Sequence, residues 1–417
     1  MTFSYDDGTL KITLPERINT TNAAEFEKEL FAIDGLNYAK EFIFDAKNLE
    51  FISSLGLRVI FKFEKKFADT PLTIINTSSE VREILEETGI TSWVKVYKTL
   101  RHVDLHSLTL LGAGMYGSVY RINEEQILKV FHKVQSELEI RKVIEVIRIA
   151  FTHDIPTLMP FEVVKTDRGF GIVLELLNAT ILSTLMHDNP KDFDKHVVEM
   201  VELAKSLANA QIEEGTLKNL NDVMAEFVDS SSEFLTPEEI TAIKHYIDIV
   251  PRRNSCVHCD FHAKNIMIME GKPLLIDMDS FCCGHPVWDI GGTYRIYQMF
   301  PHFSDDITHK LFELQGITLA DLFFKMTGFT VDEADRCWQK YFDEYFKDYS
   351  AQEKIYLADT AKVYGIFAVL WFALERCQIV KDEPARLQLK IDAARYFLKE
   401  MQAVDTDHLI KAFEVWK

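Results

Sequence analysis

From Lys11 onward the pattern of apolar and polar positions predicts elements that alternate between strand and helix. The runs "KITLPE", "EFIFDA", "LTIINT" and "WVKVYK" read as strands, and "TNAAEFEKELFAI", "SLGLRVIFKFEKKF" and "SSEVREILEETG" between them as amphipathic helices. Strands separated by helical crossovers imply a sheet with helices packed on it, so residues 1–100 are expected to form an α/β domain. The segment "TLRHVDLHS" has neither strong alternation nor a glycine-rich linker, and the domain boundary is placed within it. Beyond it, "LLGAGMYGSVYRINEEQILKVF" and "GIVLELL" resume strand character. Farther on, "KLFELQGITLADLFFKM", "CWQKYFDEYFKDY" and "VYGIFAVLWFALERC" carry Phe, Tyr and Trp at helical spacing. Residues 107–417 therefore read as an α+β domain whose carboxy-terminal part is a helical lobe with an aromatic core.

Composition narrows the partners more than the fold. The formal charge of -19 repels phosphate backbones, and no basic block offsets it, so nucleic acid is not an expected partner. An acidic surface suits cationic small molecules or basic protein patches, as well as plain solubility. The start "MTFSYDDGTL" lacks a basic segment followed by an apolar one, so no secretory signal is expected. "VYGIFAVLWFAL" is too short to cross a bilayer and reads as a core helix, so no membrane association is expected. The six Cys lack the density of a secreted disulfide scaffold and point to a reducing, cytoplasmic setting.

Two stretches carry candidate chemistry in the first domain and at the start of the second. In "DAKNLEFISSLGLRVI" a strand ends at Asp45, and Ser53 and Ser54 both sit where a helix N-cap is expected. A hydroxyl there is a low-cost carrier of phosphate, because free backbone N–H groups and the helix dipole favour an anion; either Ser is equally readable as a plain cap. The element order together with "FISSLGLRVI" resembles the STAS domain of anti-sigma factor antagonists. That resemblance implies that Ser54 is phosphorylated by a kinase and controls binding to an anti-sigma-like partner. Ser53 stands in place of a frequent Asp, and Leu55 in place of a small residue.

Gly112, Gly114 and Gly117 are spaced GxGxxGxV between two strand-like runs. A dinucleotide fingerprint with this spacing requires a helix after the last Gly, whereas "SVYRI" is rich in β-formers, so a hairpin that lays backbone N–H groups over phosphates is favoured. Lys129, flanked by apolar residues in "ILKVF", is then the cation for the α- and β-phosphates. The following helix offers Glu137, Glu139 and Glu145 to hold that Lys; Glu145 is preferred, with Glu139 in reserve. The backbone near Glu175 and Leu176, at the end of "GIVLELL", is the candidate adenine hinge.

His258, Asp260, His262 and Asn265 form HxDxHxxN, followed by Asp277 and Asp279 in "LLIDMDS". Phosphoryl transfer needs a carboxylate to orient or deprotonate the attacking hydroxyl and hard oxygen ligands for magnesium. Asp260 fits the first need; Asn265 and Asp277 fit the second. His258 fits a loop brace, and His262 lies near the substrate side without an assigned role. Zinc is the rival reading, since Cys256, Cys259, Cys282, Cys283, His258, His262 and His285 offer ligand types. The adjacent Cys282 and Cys283 do not make a second spaced pair, and these Cys read better as small buried hydrophobes.

Taken together, "GAGMYGSVY", "ILKVF", "HCDFHAKN", "LLIDMDS" and "GHPVWDIGG" resemble the aminoglycoside phosphotransferase and choline kinase branch of the protein-kinase-like fold. The resemblance implies a bilobal domain over 107–417, with a small lobe at 107–177 and a large lobe at 178–417. It further implies ATP and Mg2+ as cofactors, Asp260 as catalytic base, Asn265 and Asp277 as magnesium ligands, and Asp289 as a brace of the catalytic loop. Cys259 replaces a frequent Gly and Ala263 a frequent Pro. Twelve positions separate Asp277 from Asp289, too few for a peptide-docking platform, so a small hydroxylated acceptor, cationic in one version, is expected. The alternative is a partner-switching signalling protein whose kinase domain phosphorylates Ser54 or senses nucleotide.

Overall fold

A computed structural model describes residues 1–6, 8–114, 117–132, 134, 136–314 and 316–416. The chain divides into two compact units: Met1–Leu105 with Val163–Asp167, and His106–Glu162 with Arg168–Lys417.

The first unit is built on a five-stranded sheet in the spatial order Thr2–Asp6, Thr9–Thr13, Glu41–Asp45, Leu72–Thr77, Lys95–Lys98. The first pair is antiparallel and the rest are parallel, as expected where helices form the crossovers. Leu10, Ile12, Phe42, Phe44 and Ile74 on the strands, with Phe63 on the Ser54–Lys66 helix, make one fully buried core. Asp45 is only 2% exposed and is held by Lys11 (2.9 Å) and Asn76 (2.9 Å). Burial opposes its charge, but Asn76 and Lys11 more than offset this and keep its pKa below the ordinary value. The opening strand Thr2–Asp6 is exposed throughout, and its alternation of Phe3 and Tyr5 with polar residues buries neither face. A further difference lies at Arg101–Val103, a strand inside a segment expected to be irregular; three residues are too few to display a period.

In the second unit the strands Thr109–Ala113, Gly117–Arg121, Gln126–Phe131 and Gly169–Glu175 follow one another in space, each antiparallel to the next. The helix Glu137–Thr152, capped by Ser136, carries Ile144 and Ile147 on its buried face. Two small antiparallel sheets come next: Ser255–Val257 with Cys282–Gly284, and Ile266–Met269 with Lys272–Leu275 and Thr180–Ile181. The rest is helical. The helices beginning at Pro237, Leu319, Val331 and Ala351 all open with a capping box, in which a Ser or Thr and an acidic residue three positions on satisfy each other's backbone N–H.

The apolar stretch at Val363–Leu374 belongs to a 29-residue helix, Ala351–Ile379, so the short length inferred from its apolar run is not what excludes a membrane span. By length and composition the helix is able to cross a bilayer; 67% of its most apolar window is instead buried inside the protein, where it packs on Val287–Tyr294 and Pro384–Gln402. The crossing with Val287–Tyr294 is very close: a Cβ placed on Gly291 would lie 2.6 Å from the Tyr364 backbone carbon.

Candidate active site

Two neighbouring loops carry the polar residues. The first, His258–Asn265, joins Ser255–Val257 to Ile266–Met269; the second, Ile276–Phe281, joins Lys272–Leu275 to Cys282–Gly284. Because each loop has one end in each small sheet, the two are held side by side.

Asp260 is the most heavily bonded residue of the first loop. Its Oδ1 accepts from Arg295 Nη2 at 3.1 Å and its Oδ2 from Asn265 Nδ2 at 3.1 Å, while His262 Nε2 lies 3.4 Å from Oδ2. Burial works against the charge, but His262, Arg295 and His258 outweigh it and hold the carboxyl well below the usual range. A carboxylate held so firmly ionised is suited to orienting a hydroxyl and accepting its proton late. Asn265 spends its amide N–H groups on the Asp260 carbonyl and carboxylate, which leaves its amide oxygen for another partner.

His258 and Asp289 sit beneath this loop. His258 is fully buried, donates from Nε2 to the Ile276 carbonyl (3.0 Å) and accepts from the Asp260 N–H at Nδ1 (3.4 Å), tying one loop to the other. Burial lowers its pKa, with the Asp260 carboxylate opposing. Asp289 accepts from the N–H groups of His258 (2.9 Å) and Cys259 (2.8 Å). Its burial pushes the carboxyl up to about 7, only partly opposed by these two bonds. Cys259 adopts φ 69, a left-handed conformation that favours glycine, which gives a physical reason for the Gly common there in the resembled family.

On the second loop Asp277 also has a left-handed backbone, φ 64, and such strain is tolerated in short polar residues at functional sites. The Lys129 ammonium bonds Asp277 and, at 2.6 Å, Asp279. Burial opposes the ammonium, yet Asp279 and Asp277 raise its pKa. Asp279 is itself pushed up to about 6, by burial first, with Lys129 opposing and Asp277 adding. Lys129, Asp277 and Asp279 form the charged end of a narrow cleft walled by Ile147, Ile172 and Leu174.

The structure redirects one expectation and narrows another. The ion pairs of Lys129 go to Asp277 and Asp279 and not to Glu145, because the Lys129 side chain meets the second loop, which lies against the Glu137–Thr152 helix. At the proposed hinge, the Leu176 N–H donates to the Glu125 carbonyl (2.8 Å) and the Glu175 N–H to the Met159 carbonyl (3.4 Å). Both N–H groups are thus taken within the protein. The glycine loop separates into two kinds of position. A Cβ on Gly117 would lie 2.7 Å from the Val130 carbonyl oxygen, so the strand pair itself demands that glycine; one on Gly112 would meet nothing within 4 Å, and one on Gly114 only the Gly117 carbonyl at 3.9 Å. Met115 and Tyr116, between them, lie outside the described residues.

Asp279 and Arg295 were given no role from the sequence. Asp279 is signalled only by the repeated carboxylate in "DMD". Arg295 has no local signal, since the fold brings it to Asp260 from 35 positions away. In the first unit, Ser53 accepts from the Gly56 N–H (3.3 Å) and is the cap, and Ser54 is the exposed first residue of the helix.

Kinase-type phosphotransferases are the class to which such a fold and site correspond. A model of the phosphotransferase enzyme family matches residues 107–315, half of the chain, and a STAS-domain model matches residues 4–103. The chain belongs to the phosphotransferase enzyme family and carries an amino-terminal STAS domain. Among solved structures, it is similar to a choline/ethanolamine kinase family protein from Mesorhizobium loti (13% identity, TM-score 0.43, covering 74% of this chain and 92% of that one). The GDP complex of aminoglycoside 2′-phosphotransferase-IIIa shares 12% identity (TM-score 0.39, 78% and 99% covered). A candidate anti-sigma factor antagonist from Thermotoga maritima shares 24% (TM-score 0.22, 24% and 86% covered). No curated protein matches the chain.

Proposed function

We propose that the protein transfers the terminal phosphoryl group of ATP, with magnesium, to a hydroxyl of a small molecule, and that its STAS domain regulates this or docks a partner. One observation carries the reading: Lys129 of the small lobe is paired with Asp277 and Asp279 of the loop beside Asp260, so a phosphate-holding cation and metal-type carboxylates meet in one cleft.

The donor set fits magnesium, which prefers hard oxygen. Asp277, Asp279 and the amide oxygen of Asn265 would hold it, Asn265 with its N–H groups already spent on Asp260. When bound, the ion would neutralise phosphate charge. Nucleotide phosphates compete with the two carboxylates for Lys129. Asp260 orients the acceptor hydroxyl and takes its proton; His258 and Asp289 hold the loop that carries it. Adenine is met by the carbonyls near Glu175 and Leu176 and by the apolar cleft wall.

Calorimetric titration with MgATP, followed by transfer assays on hydroxylated small molecules, tests this. Binding that Lys129→Met weakens supports the reading; a parent chain that binds no nucleotide refutes it. A second reading has its own observation: because Ser53 takes the cap, the Ser54 hydroxyl is exposed at a helix N-terminus, where phosphate is favoured. A gain of one phosphate on incubation with MgATP, absent in Ser54→Ala, would make this chain its own acceptor.

A further inference from the structure

Arg295 opens a π-helical turn, Arg295–Met299, that extends the Val287–Tyr294 helix. A π turn redirects the side chains that follow and is common at functional sites. This one is fixed to the catalytic loop. Ile296 and Tyr297 are buried, the Tyr297 hydroxyl accepts from the Ala263 N–H at 2.8 Å, and Thr293, one turn earlier, donates to the Phe261 carbonyl at 3.0 Å. The guanidinium is thereby set against Asp260.

A guanidinium carries five N–H donors in a planar fork, and this one uses a single bond, Nη2 to Asp260 Oδ1 at 3.1 Å. Its side chain is only 23% exposed, and its Nε is buried with no hydrogen-bond partner among the described residues. Bracing Asp260 does not account for that. An Arg that exists to hold a carboxylate closes a bidentate fork, but here the second oxygen is occupied by Asn265 and His262. A second buried donor-capable atom is idle beside it. His262 is 7% exposed, its Nε2 is directed at Asp260, and its Nδ1 has no partner. Native structures rarely leave such groups unpaired without a reason.

We propose that Arg295 binds an oxyanion at the transfer site, beside Asp260. The planar fork matches carboxylate and phosphate, and it repels a cationic acceptor. The oxyanion has two possible sources: a carboxylate or phosphate carried by the acceptor, or the phosphoryl group in transit. The proposal rests on the phosphotransfer reading above and deepens it, since the first source makes the acceptor a hydroxylated acid.

Full-length parent, Arg295→Met and Arg295→Lys are compared in three measurements: binding of inorganic phosphate in the presence of saturating MgADP, hydrolysis of MgATP without acceptor, and turnover with hydroxylated acceptors that do or do not bear an acid group. Phosphate affinity is expected to fall tenfold or more in Arg295→Met and less in Arg295→Lys. A parallel fall in hydrolysis and in every acceptor reaction assigns the oxyanion to the phosphoryl group; unchanged hydrolysis with loss confined to acidic acceptors assigns it to the acceptor. Phosphate affinity within twofold of the parent in Arg295→Met overturns the proposal. A parent that neither binds MgADP nor hydrolyses ATP would refute the phosphotransfer reading, while phosphate binding alone would still decide the role of Arg295. If thermal melting shows Arg295→Met unfolded, Arg295→Gln replaces it under the same criteria.

Discussion

Gly291 and Gly292 are adjacent in the Val287–Tyr294 helix, and the structure assigns them opposite responses to the same substitution. An added methyl on Gly291 would lie 2.6 Å from the Tyr364 backbone carbon and 2.8 Å from its carbonyl oxygen; one on Gly292 would meet nothing within 4 Å. To restore an ordinary contact of 3.4 Å the Gly291 variant must move one helix by about 0.8 Å against a backbone that has no rotamer to yield. Overpacking of this kind costs about 1–3 kcal/mol, and the upper part of that range is expected here because both contacting groups are main chain. Gly292→Ala should instead gain roughly 0.5–1 kcal/mol from helix propensity. The same shift has a functional reading, since Asp289 lies two positions before Gly291 and holds the His258 and Cys259 N–H groups at 2.9 and 2.8 Å. Displacing it by most of an ångström loosens the loop that carries Asp260, and misplacement on that scale can lower turnover by about a hundredfold. Urea unfolding followed by Trp fluorescence is the assay, because four of the five Trp belong to the second unit. Equal midpoints for Gly291→Ala and Gly292→Ala would show that the close crossing is not a constraint, and intact turnover in Gly291→Ala would break the link from packing to the loop.

Asp260→Ala should lower transfer by about 10²–10⁴-fold while leaving nucleotide affinity within twofold, as calorimetry and a phosphotransfer assay can read; unchanged transfer removes Asp260 from the mechanism. Gly114→Ala should weaken nucleotide binding at unchanged thermal stability, whereas Gly117→Ala should destabilise the strand pair by about 1–3 kcal/mol, because its Cβ meets the Val130 carbonyl. Identical behaviour of the two variants would contradict this division. His285 is fully buried against Phe413 and Trp416, and burial first, then Arg253, depresses its pKa to about 3. A folded-state pKa below the unfolded 6.5 means stability is fully present above pH 6.5 and drains as pH falls toward 3, at up to about 1.4 kcal/mol per unit. His285→Asn, whose amide oxygen can still accept from the Val287 N–H, should therefore lose about 2 kcal/mol less than the parent between pH 6.5 and 5 in urea titrations; parallel pH profiles would refute the buried-neutral assignment.

Which features the sequence revealed follows from how local their causes are. The short apolar runs in Glu41–Asp45 and Leu72–Thr77 are visible because each strand is buried almost throughout, and the HxDxHxxN and DMD carboxylates are visible because one loop carries each set. Readings that required choosing between similar residues went as far as chemistry allows and no farther. Ser53 and Ser54 are equally good caps on paper, and only the backbone geometry that aims Ser53 Oγ at Gly56 decides. Likewise, any Glu on the Glu137–Thr152 helix is a plausible partner for Lys129 until the fold presents two carboxylates nearer to it. The hinge shows the same limit: a strand end looks fully open in sequence, but the Leu176 N–H already belongs to Glu125.

Arg295 is the extreme case. Nothing in "GGTYRIYQ" marks it, and its placement depends on a local π turn and on two contacts made across the domain, Tyr297 with Ala263 and Thr293 with Phe261. The division has a chemical logic. Groups that handle the nucleotide meet the same phosphates whatever the acceptor, so they occupy short contiguous segments with readable spacing. Under the proposed function, groups that face the acceptor would come from helices far along the chain, whose sequences are otherwise constrained only by packing. A site assembled this way can change its acceptor by altering one inward-facing residue on a packed helix while the transfer machinery stays intact. Arg295 reaches Asp260 from such a helix, and the comparison of acidic with neutral acceptors in Arg295→Met decides whether it serves the acceptor or the phosphoryl group.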